Sequence, residues 1–334
     1  MDLFRRCKDA CRRNPGRVAF GDVPDRRVLE AAIQLKAEGL AEPLLVASPF
    51  VVGRRLAEAR LTSAGLTVID PASPALSREH AAAYAALRQA RGKSATEAEA
   101  RKTVETPLAA AAMLVRRRVA DIGVAGNLSS TADVLRAGLA ILDRKPDLHT
   151  VSSFFVMVSP DRARHYIFAD CAVVPEPSAD TLADIAIASA RQARHLMGVE
   201  PRVALLSFST RGSARHPRAD LVRSAVDQIR RRQPDLKVDG ELQFDAAAVP
   251  DVAALKAPGS VLSGEANVFV FPSLEAGNIG YKMVQRLAGY EALGPFLQGF
   301  EGGWHDLSRG CSTRDIVQVA VIGLCLQRGD LLPS

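Results

Sequence analysis

Short β-branched runs that alternate with helical patterns constrain this chain more than any other feature. Strand-like segments read RVAFGD, PLLVAS, LTVID, ADIGVAG, HTVSSFFVMVS, YIFADCAVV, RVALLSFST, KVDGELQF and NVFVFPS. Helical patterns lie between most of them, at 27–37, 95–118, 131–143, 179–197 and 214–232. A helix between two strands carries the chain back to the edge where it started, so the next strand pairs parallel to the last. The expected fold is therefore α/β, with largely parallel sheets flanked by helices. Only a short loop separates HTVSSFFVMVS from YIFADCAVV, so one sheet is expected to contain an antiparallel hairpin.

The alternation is interrupted twice. Pro and charge break it in RKPDLHT at 144–150, and Gly-Gly breaks it in QGFEGGWHD at 298–306. These breaks predict a discontinuous first domain, 1–147 with 302–334, and a second domain, 148–301. A chain of 334 residues is long enough for two cores.

Composition narrows the function classes. With 48% hydrophobic and 24% charged residues the chain reads as a folded globular protein. No apolar run reaches the roughly 18 residues of a membrane span, so no membrane partner is expected. The opening MDLFRRCKDACRR lacks the apolar core of a secretory signal, and five scattered cysteines suit a reducing compartment. A cytoplasmic location is the expectation. The net charge of +6 favours acidic partners, but 5% aromatic content is too little for a platform that stacks bases. An anionic small substrate fits better than nucleic acid.

Several familiar motifs are absent. ARGKS at 90–94 needs a Gly at position 87 to form a phosphate loop, and that residue is Leu87. There is no G-x-G-x-x-G after a strand, no G-x-S-x-G and no H-E-x-x-H. What recurs is a strand that ends in small and hydroxyl residues before a helix. VAGNLSSTADVLRAG, LSFSTRGSARHP and FPSLEAGNIGYK all do this, with Arg136, Arg211 and Lys282 close by. Ligands bind beyond the carboxyl ends of strands in such sheets, and helix N-termini there offer N–H groups to anions.

HDLSRGCSTRDIVQVAVIGLCL sets charge against the start of an apolar helix. Ser312 and Asp315, three residues apart, form a capping box that needs no catalysis to explain it.

The longer motifs carry a resemblance. ANVFVFPSLEAGNIGYKMVQRLAGYEALGPFLQGF and HDLSRGCSTRDIV are similar to the phosphate acetyltransferase (phosphotransacetylase) family. SSFFVMVSPD, FADCAVVPEPSADTLADIAI, SFSTRGSARHP, FDAAAVPDVAALKAP and STADVLRAG also resemble it. The chain departs from the family at Ser273, at Ala125, Gly126 and Asn127, and at Ala137. The resemblance implies reversible transfer of an acetyl group between coenzyme A and inorganic phosphate, by direct attack in a ternary complex. Its substrates would be acetyl-CoA, phosphate and acetyl phosphate, with no metal and no tightly bound cofactor. It also implies a two-domain fold like that of isocitrate dehydrogenase, a site in the interdomain cleft, and a homodimer.

Residue by residue, the resemblance makes Asp315 the general base, Ser308 the donor to the carbonyl oxygen and Arg309 the grip on phosphate. Arg88 and Arg136 match the arginines that contact coenzyme A or phosphate. Ser129, Ser130 and Thr131 are candidate phosphate donors, and Asn278, Tyr281 and Lys282 are candidate substrate contacts from the second domain. The alternatives are a phosphate butyryl- or propionyltransferase and a non-catalytic acetyl-CoA-sensing module. The presence of Ser308, Arg309 and Asp315 together argues against the sensor.

Overall fold

The computed structural model describes residues 3–62 and 65–328. Its strands are β1 (Gly16–Phe20), β2 (Ala41–Val46), β3 (Thr67–Ile69), β4 (Ile122–Ala125), β5 (Ser152–Val158), β6 (His165–Ala169), β7 (Arg202–Leu206), β8 (Lys237–Leu242), β9 (Val268–Val270), β10 (Glu291–Gln298) and β11 (Gly303–Asp306). They belong to two compact units. A terminal unit joins Phe4–Asp143 to Phe300–Arg328, and a central unit holds Arg144–Gly299.

The terminal unit is built on a five-stranded sheet in the order β11-β4-β1-β2-β3, and every pair in it is parallel. Helix Thr313–Arg328 packs on β4, β11 and helix Arg26–Ala37. Its residues from Ile316 to Cys325 are all buried. A helix that is apolar almost all round has to be covered in this way.

The central unit has a six-stranded sheet in the order β10-β5-β6-β9-β7-β8. The expected hairpin is present: β5 and β6 are antiparallel, with Val156 opposite Ile167. β6, β9, β7 and β8 run parallel. All seven residues of β5 are buried, as in a strand covered on both faces.

The α/β class follows the alternation, but several elements differ from expectation. The helix expected over 95–118 is two helices, Glu97–Val104 and Pro107–Arg116. Pro107 has no N–H to continue the first helix and keeps the residue before it extended. The helix expected from 214 starts at Pro217, where His216 Nδ1 accepts from Arg218 N at 3.2 Å. The helix expected to reach 197 ends at Gln192 and passes into a π turn, Ala193–Met197.

Two strands were not anticipated. β10 carries Gly294 and Pro295, and its pairing with β5 shifts register between Leu293 and Phe296. β11 has only four residues and starts on the second glycine of the Gly pair. Its Trp304 is 1% exposed and lies against Gly123 of β4, where a Cβ would come within 2.4 Å of the ring. Trp304 Nε1 donates to the carbonyl of Val134 at 2.9 Å.

Candidate active site

Asp306 of β11 pairs with Ala125 of β4, so the two strands end side by side in the terminal unit. Beyond β11 the chain turns at 308–311, where Cys311 N donates to the carbonyl of Ser308 at 2.9 Å. Gly310 N donates to Ser308 Oγ at 3.2 Å. That bond uses a lone pair and leaves the hydroxyl hydrogen of Ser308 available. Ser308 and Arg309 are exposed.

The capping box is formed at the start of helix Thr313–Arg328. Asp315 Oδ2 accepts from Ser312 N at 2.8 Å and from Ser312 Oγ at 3.0 Å. Asp315 N donates to Ser312 Oγ at 3.2 Å. Oδ1 of Asp315 takes no part in the box, so capping occupies one oxygen of the carboxylate. Asp315 is exposed.

Cys311, inside the same stretch, is buried, and burial pushes its thiol up to about 11 despite the opposing charge of Arg27. It is a protonated thiol at neutral pH and a poor nucleophile.

The loop that follows β4 is held from within. Asp22, 6% exposed, accepts at Oδ2 from Gly126 N (2.8 Å), Leu128 N (3.1 Å) and Ser129 N (3.1 Å). Its Oδ1 accepts from Ser129 Oγ at 2.6 Å. Ser130 caps helix Thr131–Ile141, accepting from Asp133 N at 3.1 Å and donating to Asp133 Oδ2 at 2.6 Å. Thr131 Oγ1 donates to Asp306 Oδ2 at 2.6 Å. Each of these three hydroxyls therefore already gives its hydrogen to a carboxylate.

Gly126, at φ 110°, passes so close to Asp306 that a Cβ would meet Oδ1 at 2.1 Å. Burial, with the charge of Asp22 nearby, pushes the Asp306 carboxyl up to about 6.

Sequence reasoning missed the residue that links these two strand ends. Arg27, in the first turn of helix Arg26–Ala37, donates to the carbonyls of Arg309 (2.9 Å), Cys311 (2.6 Å) and Asn127 (3.2 Å). Asp25, the N-cap of that helix, orients it through Nε and Nη2. Burial raises the Asp25 carboxyl, but hydrogen bonds from the side chain and backbone of Arg27 outweigh it and hold it below the usual carboxylate range. The only signal in the sequence was the charged stretch GDVPDRR, with two acids and two arginines, after the first strand.

Neither of the expected arginines bonds to the turn. Arg136, three residues after Asp133 on the same helix, has a side chain 72% exposed and pairs with that Asp. Arg88, on helix Pro74–Ala90, donates to the carbonyl of Ser94 at 3.4 Å. Arg91, which was not anticipated, binds the carbonyls of Leu139, Ala140 and Leu142 at the end of helix Thr131–Ile141.

Asn278, Tyr281 and Lys282 share helix Leu274–Leu287 of the central unit. Asn278 Nδ2 donates to the carbonyl of Cys171 at 3.0 Å. Tyr281 stacks on Phe155 with centroids 4.2 Å apart, and burial raises its phenol. Lys282 Nζ lies 5.8 Å from the Tyr281 ring and is exposed. Arg211, within the second strand-end loop, LSFSTRGSARHP, is committed to Asp239 at 2.7 Å.

A turn bearing Ser and Arg ahead of a carboxylate that caps with one oxygen is a local solution that unrelated chains could share. Similarity along the whole length decides the matter. The phosphate acetyl/butaryl transferase family model matches residues 2–324. The chain belongs to that family. Membership makes it an acyltransferase. A phosphate acetyltransferase of Clostridium acetobutylicum is 43% identical over 334 residues, covering 98% of this chain and 100% of the relative. That of Bacillus subtilis is 41% identical over 96% of this chain and 98% of its own. A solved phosphotransacetylase from Streptococcus pyogenes superposes with a TM-score of 0.92 at 39% identity, over 98% of both chains.

Proposed function

We propose that the chain transfers an acetyl group reversibly between coenzyme A and phosphate, with Asp315, Ser308 and Arg309 as the reacting group. The observation that carries this reading is the division of labour at Asp315: Oδ2 caps the helix and Oδ1 stays outside the box. The thiol of coenzyme A, with a pKa of about 8.5, must lose its proton to react at neutral pH. Oδ1 takes that proton as sulfur attacks the carbonyl carbon of acetyl phosphate. Negative charge then develops on the carbonyl oxygen, and the Ser308 hydroxyl donates to it. The tetrahedral adduct collapses, the bond from carbon to the phosphate oxygen breaks, and phosphate leaves on the Arg309 guanidinium, whose planar fork matches two oxygens.

Arg136 and Arg88 serve the phosphates of coenzyme A. Ser129, Ser130 and Thr131 act through the loop that they brace, and the exposed N-terminus of their helix favours an anion. Lys282 supplies a further cation, on a helix that Asn278 and Tyr281 fix in place. No helix among the described residues is long and apolar enough to cross a membrane, and a cytoplasmic location is part of the proposal. So is a homodimer, supported by the exposed apolar stripe of Ile279, Met283 and Leu287 on helix Leu274–Leu287.

The test separates base from cap. Wild type is expected to form acetyl-CoA from acetyl phosphate and coenzyme A in the presence of chelator, read by thioester absorbance. Asn at 315 keeps a side-chain oxygen that can accept from Ser312 N but cannot accept a thiol proton. Asp315→Asn is expected to lower kcat roughly 10²-fold or more, with stability held within about 1 kcal/mol. The deficit shrinks as pH approaches the thiol pKa. A variant with normal kcat and a lower melting temperature would show the carboxylate to be a cap alone.

A further inference from the structure

The Ser308–Arg309 turn is short and exposed, and a turn of this kind would sample several conformations if nothing held it. What holds it lies on a different element. The Arg27 side chain reaches the turn at two points, the carbonyls of Arg309 and Cys311, with one nitrogen, Nη1. Its other terminal nitrogen, Nη2, reaches the carbonyl of Asn127 in the loop after β4. Nε and Nη2 are in turn fixed on the Asp25 carboxylate, whose side chain is only 10% exposed. One turn further along the same helix, Glu30 Oε2 accepts at 2.9 Å from Oγ1 of Thr313, which opens the turn that carries Asp315. The start of helix Arg26–Ala37 thus grips the catalytic segment on both sides of its capping residue.

We infer that Arg27, aimed by Asp25, is a positioning residue that fixes the backbone of 309–311 and so sets where Ser308 and Arg309 meet the reacting carbonyl and phosphate. This rests on the reading of Ser308, Arg309 and Asp315 given above. Arg27 itself meets peptide carbonyls, which accept its hydrogens without neutralising its charge. It spends its donors on protein, so its effect falls on catalytic geometry and not on substrate affinity. A planar fork suits the task because it serves carbonyls from two loops while both are held to one carboxylate. A Lys ammonium is a point charge on a flexible stem and cannot reproduce that geometry.

The experiment uses the full chain and measures kcat, the KM for coenzyme A and for acetyl phosphate, and melting temperature. Misplacing reacting groups by about 1 Å costs on the order of 10²-fold. Arg27→Ala is expected to lose about that much in kcat, with both KM values within about threefold of wild type. Arg27→Lys should lose at least about tenfold. Asp25→Asn keeps the helix cap but removes the charge that aims the guanidinium, and its kcat should fall in the same sense. Free guanidinium ion at low concentration should restore part of the activity of Arg27→Ala and none in wild type or Arg27→Lys. If Arg27→Ala fails to fold, Arg27→Lys and Asp25→Asn decide by the same readings.

An active wild type with Arg27→Ala or Arg27→Lys within about threefold of its kcat would overturn the proposal alone. So would a raised KM for coenzyme A at unchanged kcat, which would mark a direct substrate contact. A wild type with no transfer activity would remove the catalytic reading, and the proposal with it.

Discussion

Asp306 shows how a single side chain bears on the whole protein. It is 2% exposed, stands near Asp22, and its neutral form is favoured in the fold, with the carboxyl pushed up to about 6. An unfolded Asp titrates near 3.9. The sign follows from linkage: the stabilisation is complete below the unfolded value and is lost as pH rises through about 6. About two pKa units correspond to roughly 3 kcal/mol. Asp306→Asn keeps an acceptor for Thr131 Oγ1 and has no proton to lose. The difference in melting temperature between variant and wild type should therefore move in favour of the variant between pH 4 and pH 7. Neighbouring His305, pushed down to about 4 by burial, titrates in both proteins and cancels in the comparison. A difference that stays constant with pH would show that Asp306 does not titrate in this range.

At the scale of elements, the seat of β11 can be tested at Gly123. A Cβ there would lie 2.4 Å from two Trp304 ring carbons, and the ring is pinned by its bond to Val134. Overpacking of this kind costs typically about 1–3 kcal/mol. Gly123→Ala should lower the melting temperature, and Trp304→Leu should cost less stability in the Gly123→Ala chain than in wild type, a coupling visible in a double-mutant cycle. Strict additivity would show that β11 moves aside freely. Strands rich in β-branched residues between helices were legible in the sequence because their period and length are local properties. β11 was not, since GWHD owes its place to one Trp filling the space left by a Gly far away in sequence. The candidate site divides in the same way. Ser308, Arg309 and Asp315 lie in one continuous motif and could be read. Asp22 and Arg27 act through hydrogen bonds to backbone far away in sequence, Asp25 acts through Arg27, and Asp306 meets the hydroxyl of Thr131, and spacing carries no trace of such contacts. The break at Pro107 was visible as a residue but lost in a long Ala-rich run.

For the whole molecule, the open question is association. On helix Leu274–Leu287 only Gly277 is buried, while Ile279 (57% exposed), Met283 (54%) and Leu287 (80%) repeat every four residues along it. Three large apolar side chains aligned on one exposed helical face mark an interaction site more often than chance exposure does. A second copy is the proposed occupant. A two-fold interface places each residue opposite the same patch on its partner, so one substitution enters the contact twice. Met283→Glu would put two buried, unpaired carboxylates into that contact, at several kcal/mol each. By light scattering the wild type should have about twice the 35.7 kDa chain mass, and the variant the mass of one chain, with its circular dichroism unchanged. A charged residue in water costs the monomer nothing, so loss of the dimer without loss of fold is the signature expected. A wild type that is monomeric at micromolar concentration would remove the dimer, and a variant that remains dimeric would place the interface elsewhere; either would leave this stripe without a partner.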